Sequence, residues 1–262
     1  MNLLMSISQR LLAKINISTI IKILEQTKNN IDGIEIASTH YSDMYDILKY
    51  TIKHNIIFQA HCPQLSDENS LKVYLNDVNL LSDIYGKPIN IVFHSIENEN
   101  LEKSLILTNE YMKNILEYIN KNNLNITISL ENLNFHHFVK RINLNLIDNI
   151  LKNFNQLYFT YDIGHDLYDN KTLTKLSDLQ INKINNVHIH NIVLKEDHHI
   201  IYENCETINE LKKSIANLKE INFNGNIVKE EAVDRYKGEN INEQMYNYIL
   251  SFNDIKTILN CN

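Results

Sequence analysis

The sequence predicts an α/β fold of the (β/α)8 barrel type, one domain over residues 1–262. Three observations point there. Eight short apolar runs alternate with eight amphipathic stretches, and strict alternation of this kind argues for a parallel sheet. No glycine-rich turn follows the first run, where a doubly wound dinucleotide-binding sheet places its phosphate loop. Each of the last six runs ends on a metal-ligand type of side chain. In a closed parallel barrel all strand C-termini open on one face, so such side chains converge although they are far apart in sequence.

The strand-like runs are Leu3–Ser8, Asp32–Ala37, Ile56–His61, Ile89–His94, Ile126–Glu131, Leu157–Asp162, Asn186–His190 and Gly225–Glu230. Ile17–Thr27 has apolar residues at i, i+3, i+4 spacing and is expected to take Ser18 as its N-cap. The same helical texture recurs over Tyr41–His54, Ser70–Tyr85, Leu101–Asn122, Asn143–Phe154, Leu173–Ile184, Ile208–Glu220 and Ile241–Leu259.

Composition fits this plan. A length of 262 residues is normal for one such barrel, and 44% hydrophobic with 22% charged residues supports a substantial core. With 5 Gly and 2 Pro there is no linker to divide the chain. No apolar run approaches the roughly 20 residues of a membrane span, and MNLLMSISQR lacks the apolar core of a signal peptide. Cys62, Cys205 and Cys261 form no CxxC pair, which predicts a reducing, cytoplasmic setting. The net charge of −7 opposes broad affinity for nucleic acid, because phosphate neutralisation needs a basic surface. Arg10, Arg141 and Arg235 are the arginines that offer a bidentate fork to a phosphate.

The chemistry sits at the strand ends. Glu131 closes the fifth run and Asp162 the sixth, with His165 three residues on in Asp-x-x-His. His188 lies on the seventh run, with His190 on the same side by the two-residue strand period, and Glu230 closes the eighth. Glu131, Asp162, His188 and Glu230 make a hard, mostly oxygen donor set, suited to Mn²⁺, Mg²⁺ or Co²⁺. His61, His94, Asp197 and His199 form an outer ring whose nitrogens would shift preference toward Zn²⁺. Taken singly, a histidine on an apolar strand is commonly a hydrogen-bonded core residue, so His61 and His94 stay open between the two roles. Asp197 and His199, in a polar stretch, stay open between ligation and solvation. Glu35, on the second run, is expected near the barrel mouth, either paired within the protein or facing substrate.

These residues resemble the xylose-isomerase-like barrels, a superfamily of sugar and sugar phosphate isomerases and epimerases that also includes the endonuclease IV type of abasic-site nuclease. The resemblance runs from IDGIEIAS to NIVKEEA and is carried by Glu131, DIGH, VHIHN and GNIVKE. In the isomerase branch it implies one divalent ion on Glu131, Asp162, His188 and Glu230, with the two glutamates as acid and base and His165 on substrate. In the nuclease branch it implies three zinc ions on His61, His94, Glu131, Asp162, His165, His188, Asp197, His199 and Glu230. The chain departs from the nuclease pattern: the first strand lacks its glycine–histidine opening, IIYENCE replaces its Gly-Glu-Gly, and Gln64 stands where an intruding aromatic is usual.

The expectation is therefore a metal-dependent isomerase or epimerase acting on a small sugar or sugar phosphate through an enediolate. Glu131, Glu230 and His165 would be catalytic, and Glu35, Lys229 and Arg235 would bind substrate, the last two if it is phosphorylated. The alternative is a zinc-dependent phosphodiesterase acting on duplex DNA. A binding protein that keeps a partial metal box is the third and least supported reading.

Overall fold

The computed structural model describes residues 1–27, 30–65, 67–134, 138, 140–170, 172–193, 196–200 and 205–260, with the backbone alone described at 191–193, 196–200, 205–208 and 210. Eight parallel strands close into a barrel: β1 (Asn2–Ile7), β2 (Gly33–Ile36), β3 (Ile57–His61), β4 (Ile89–Phe93), β5 (Ile126–Glu131), β6 (Leu157–Asp162), β7 (Ile184–Ile189) and, last in the chain, β10 (Asn226–Lys229). Each pairs with its sequence neighbours among the eight, and β1 meets β10 with Asn2 opposite Asn226. Between β7 and β10 the chain makes an antiparallel pair, β8 (Asn191–Val193) and β9 (Glu196–Ile200), where the sequence reads as a polar loop.

Helices wrap the barrel: α2 (Ile17–Gln26), α3 (Tyr41–His54), α4 (Glu68–Tyr85), α5 (Leu101–Asn122) and α9 (Cys205–Glu220) follow the expected stretches closely. A four-residue α1 (Gln9–Leu12) was not foreseen. The N-cap of α2 is Asn16 and not Ser18, because the Asn16 side chain accepts from the Thr19 amide at 2.9 Å. Helices α3 and α5 end on Asn55 and Asn123 at φ 53° and 52°. Asparagine there takes the left-handed position usually given to glycine, which explains how so few glycines suffice.

Three expected helices are remodelled. The stretch 143–154 condenses to α6 (Asp148–Leu151), and 173–184 to α8 (Asp178–Lys183), while α7 (Ile163–Asn170) starts directly on the end of β6. The last stretch divides into α10 (Ile241–Leu250) and α11 (Phe252–Asn260) at Ser251, whose hydroxyl donates back to the Tyr248 carbonyl at 2.6 Å. That bond competes with the helix ladder at the break.

The strands are buried on both faces, as barrel strands must be. The face toward the helices is apolar except at Lys229, and Met5, Ile34, Ile91, Leu130 and Phe159 are at most 1% exposed. Inside the barrel the buried residues include Glu35, Gln59, Ser129, Thr160, Asn186 and His188. Gly33 opens the seam between β1 and β3: a Cβ there would lie 2.7 Å from the Ile57 carbonyl oxygen. Among the described residues no helix is long and apolar enough to cross a membrane.

Candidate metal centre

Six strand ends deliver the ligand-type residues to one place. Glu131, Asp162, His188 and Glu230 each present a donor atom, and these atoms all lie within 4.8 Å of one another. His188 joins two of them, its Nδ1 lying 3.3 Å from Glu131 Oε1 and 3.2 Å from Glu230 Oε2. His188 is on β7 and fully buried; Glu230 follows β10 and is partly exposed. Asp162 ends β6 and is fixed by its neighbours: its amide donates to Asn132 Oδ1 at 2.8 Å, and its Oδ1 accepts from the His165 amide at 2.7 Å.

His61 and His94 form a second group with Glu131, approaching its Oε2 at 3.3 and 3.2 Å. His165 turns Nδ1 to the Asn132 carbonyl at 2.9 Å, and a third group joins Asp162, His165 and His190, with His190 Nε2 3.1 Å from Asp162 Oδ1. Gly164 makes room for that imidazole, since a Cβ there would come within 2.2 Å of His190 Cε1. This gives the glycine of DIGH a packing reason. Above the cluster a cavity of about 400 Å³ opens at the C-terminal face, with His61, His94, Glu131, His165 and Glu230 on its lining.

Electrostatics tie the groups together. Burial opposes the imidazolium of His61, but the bond to Glu131 and the charges of Glu35, Glu131 and Glu230 outweigh it and raise its pKa to about 9. His188 is also held well above the usual imidazole range, with burial overcome by Glu230, Glu35 and Glu131. Glu131 is held well below the usual carboxylate range, because His188, His94 and His61 together exceed its burial penalty. These shifts favour protons on the imidazoles beside the clustered carboxylates, and a divalent cation bound there would displace them. The donor chemistry fits such an ion. Asp162 Oδ2 and Glu35 Oε1 are buried with no hydrogen-bond partner, a costly state that a cation would relieve.

The structure does not bring every expected residue to this place. Lys229 is 1% exposed and turned outward, its ammonium 2.7 Å from Glu231 and 2.5 Å from the Tyr236 hydroxyl, between the sheet and the last helices. Arg235 is exposed on the 3-10 turn Val233–Arg235 and is not on the cavity lining. Asp197 and His199 fall on β9, with side chains outside the described residues. Glu35 lies inside the barrel, fully buried, and meets His188 and not the cavity. Arg10 and Arg141, singled out in the sequence only as forks available to a phosphate, line the cavity. Arg10 pairs with Asp234 at 2.7 Å, and Arg141 with Glu97 at 2.7 Å and Asn134 at 2.8 Å.

No family model matches the chain. No curated protein matches it in sequence. Solved structures do match in shape. A D-psicose 3-epimerase in the presence of D-fructose superposes with a TM-score of 0.70 at 14% identity, over 100% of both chains. The D-psicose 3-epimerase of Clostridium cellulolyticum H10, solved with D-tagatose, gives 0.69 at 13% identity over 100% of both. A 3-keto-D-glucoside 4-epimerase from E. coli gives 0.68 at 12% identity, covering 97% of this chain and 99% of that one. This chain shares its closed (β/α)8 barrel with these three structures. At these identities the likeness establishes the barrel and its strand order, and the chemistry must be argued from the residues.

Proposed function

We propose that this protein is a divalent-metal-dependent isomerase or epimerase acting on a small sugar or sugar phosphate. The observation that carries the reading is the convergence of Glu131, Asp162, His188 and Glu230 within 4.8 Å at the mouth of an epimerase-type barrel. The neighbours solved with D-tagatose and D-fructose support a carbohydrate of that size for a cavity of about 400 Å³.

A divalent ion on those four residues supplies Lewis acidity toward a carbonyl and its neighbouring hydroxyl. Glu131 and Glu230 both reach the same nitrogen of His188, at 3.3 and 3.2 Å, so their carboxylates flank one small volume. In the proposed step one of them removes the proton alpha to the carbonyl, leaving an enediolate, and the other delivers a proton to that carbon or its neighbour. His165, anchored through Nδ1, steadies a substrate hydroxyl from the cavity wall. Burial of Glu131 at 1% exposure keeps bulk water from competing for the transferred proton. The cysteine pattern supports a cytosolic setting, and Cys62 is a buried free thiol.

A second reading has its own observation. His61, His94 and Glu131 form a further nitrogen-rich group, which favours zinc and a multinuclear phosphodiesterase acting on duplex DNA. The deciding experiment incubates the protein with Mn²⁺ in D₂O and a panel of free and phosphorylated ketoses, beside a zinc-supplemented abasic-duplex nicking assay. Deuterium gained alpha to the carbonyl together with an isomeric product is the expected result. Nicking at enzyme-like rates with no exchange on any ketose overturns it.

A further inference from the structure

We propose that Glu35 is a positioning residue that fixes the ring of His188 so that Nδ1, and not Nε2, faces the metal. The proposal rests on the metal-dependent reading above and assigns Glu35 to the ion's support, where the sequence alone suggested contact with substrate.

Glu35 sits at the centre of β2, level with Gln59 on β3, and is completely buried. Its Oε2 lies 3.3 Å from His188 Nε2 and also accepts from the Gln59 side-chain amide. Gln59 is oriented in turn: its Oε1 accepts from Asn226 Nδ2 at 3.1 Å, and Asn226 Oδ1 accepts from Asn2 Nδ2 at 3.1 Å. This line of amides starts at the first residue pair of β1 and β10 and climbs the barrel interior. Every link donates toward the next, so the last one presents N–H to Glu35. A carboxyl group at zero exposure is costly unless its partners are in place.

The tautomer follows. Metal ligation by Nδ1 requires its lone pair, which sends the imidazole proton to Nε2. Two groups stand at Nε2, the Glu35 carboxylate and the Asn186 side chain at 3.0 Å. The Asn186 amide nitrogen is a donor and suits a bare Nε2, so an Nε2–H needs the Glu35 carboxylate as its acceptor, with the Asn186 amide turned to bring its otherwise unpartnered Oδ1 to that side. A hydrogen bond from Nε2–H to Glu35 raises the basicity of the ligating nitrogen. The competing assignment is direct ligation, because Glu35, His61, His188 and Glu230 also have donor atoms within 4.8 Å of one another.

Mn²⁺ titration into the metal-stripped full chain, followed calorimetrically, tests this with Glu35→Gln and Glu35→Leu. The number of ions bound should match wild type while affinity falls roughly 10- to 100-fold. Glu35→Leu should lose more, because the glutamine keeps a neutral acceptor at Nε2. With Co²⁺ in place of Mn²⁺, the visible absorption band should shift in Glu35→Leu, a change that a purely packing role would not produce. Wild-type affinity and spectrum in both variants overturn the proposal, and an ion lost from the count makes Glu35 a ligand and overturns it as well. Glu35→Gln is nearly isosteric, so it carries the test if the leucine variant does not fold. A wild-type chain that binds no Mn²⁺ removes the metal-dependent reading itself, and this proposal with it.

Discussion

His61 and His94 meet edge to face, with ring centroids 4.8 Å apart and planes at 86°, and both aim Nε2 at the same oxygen of Glu131. The other oxygen of Glu131 faces His188 at 3.3 Å and His165 at 3.7 Å. One carboxylate thus joins two ligand groups, an oxygen-rich one deep in the barrel and a nitrogen-rich one at its rim. His94 is half exposed while His188 is fully buried, so the two groups differ in access as well as in donor type.

That division sets a first prediction about the rim. His61→Ala and His94→Ala, and likewise His199→Ala, should leave one tightly bound divalent ion per chain, because Glu131, Asp162, His188 and Glu230 stay intact. Elemental analysis of the purified variants checks this. Metal lost in step with each histidine, from a wild type holding close to three zinc ions, would transfer the assignment to the phosphodiesterase.

The glutamate pair is the second test. Glu131→Gln and Glu230→Gln should each lower kcat by about 10²–10⁴, the usual contribution of a positioned acid or base, with circular dichroism unchanged. Glutamine preserves the shape and removes the proton-carrying function. Near wild-type turnover in either variant sinks the two-glutamate mechanism.

Much of the site was legible because ligand-type side chains end otherwise apolar runs, and a barrel turns that linear pattern into one location. Lys229 shows what was legible but unused. Side chains alternate along a strand, so a Glu230 facing inward requires Lys229 to face the helices, where it does lie. Arg10 and Arg141 had no local signal, since one follows β1 and the other lies ten residues beyond β5, and only closure of the barrel puts both on one cavity. The break between α10 and α11 was hidden for a similar reason. Its cause includes a bond from the Lys229 ammonium to Ser251, and Lys229 is 22 residues away.

The third prediction concerns pH in the metal-stripped protein. The pKa of His61 is raised from 6.5 to about 9, so its contribution to stability is complete below about pH 6.5 and is lost as pH rises through about 9. Glu131 is shifted downward, so its contribution holds above about pH 4.5 and is lost on acidification. The melting temperature of the stripped protein should therefore fall between pH 6.5 and 9, and saturating metal should flatten that fall by replacing the protons. Calorimetric scans of wild type and His61→Gln check this, and an equal alkaline fall in both contradicts the His61 origin.

The last prediction separates structure from substrate binding at Lys229. Its ammonium lies 4.9, 4.9 and 5.1 Å from the ring centroids of Tyr236, Tyr248 and Phe252 and neutralises Glu231, which is itself buried. Lys229→Met should leave the Glu231 charge buried without its cation, a loss of about 3–5 kcal/mol for breaking one side of a buried pair. For a chain of this size that corresponds to a melting temperature lower by roughly 10 °C. Adding Glu231→Leu should recover most of the loss, since a buried pair replaced as a unit by apolar groups is often neutral. The ratio of KM for phosphorylated and free substrates should stay at its wild-type value, because the ammonium points away from the cavity. A selective rise in KM for the phosphorylated substrate, with stability preserved, would instead return Lys229 to the substrate-binding set.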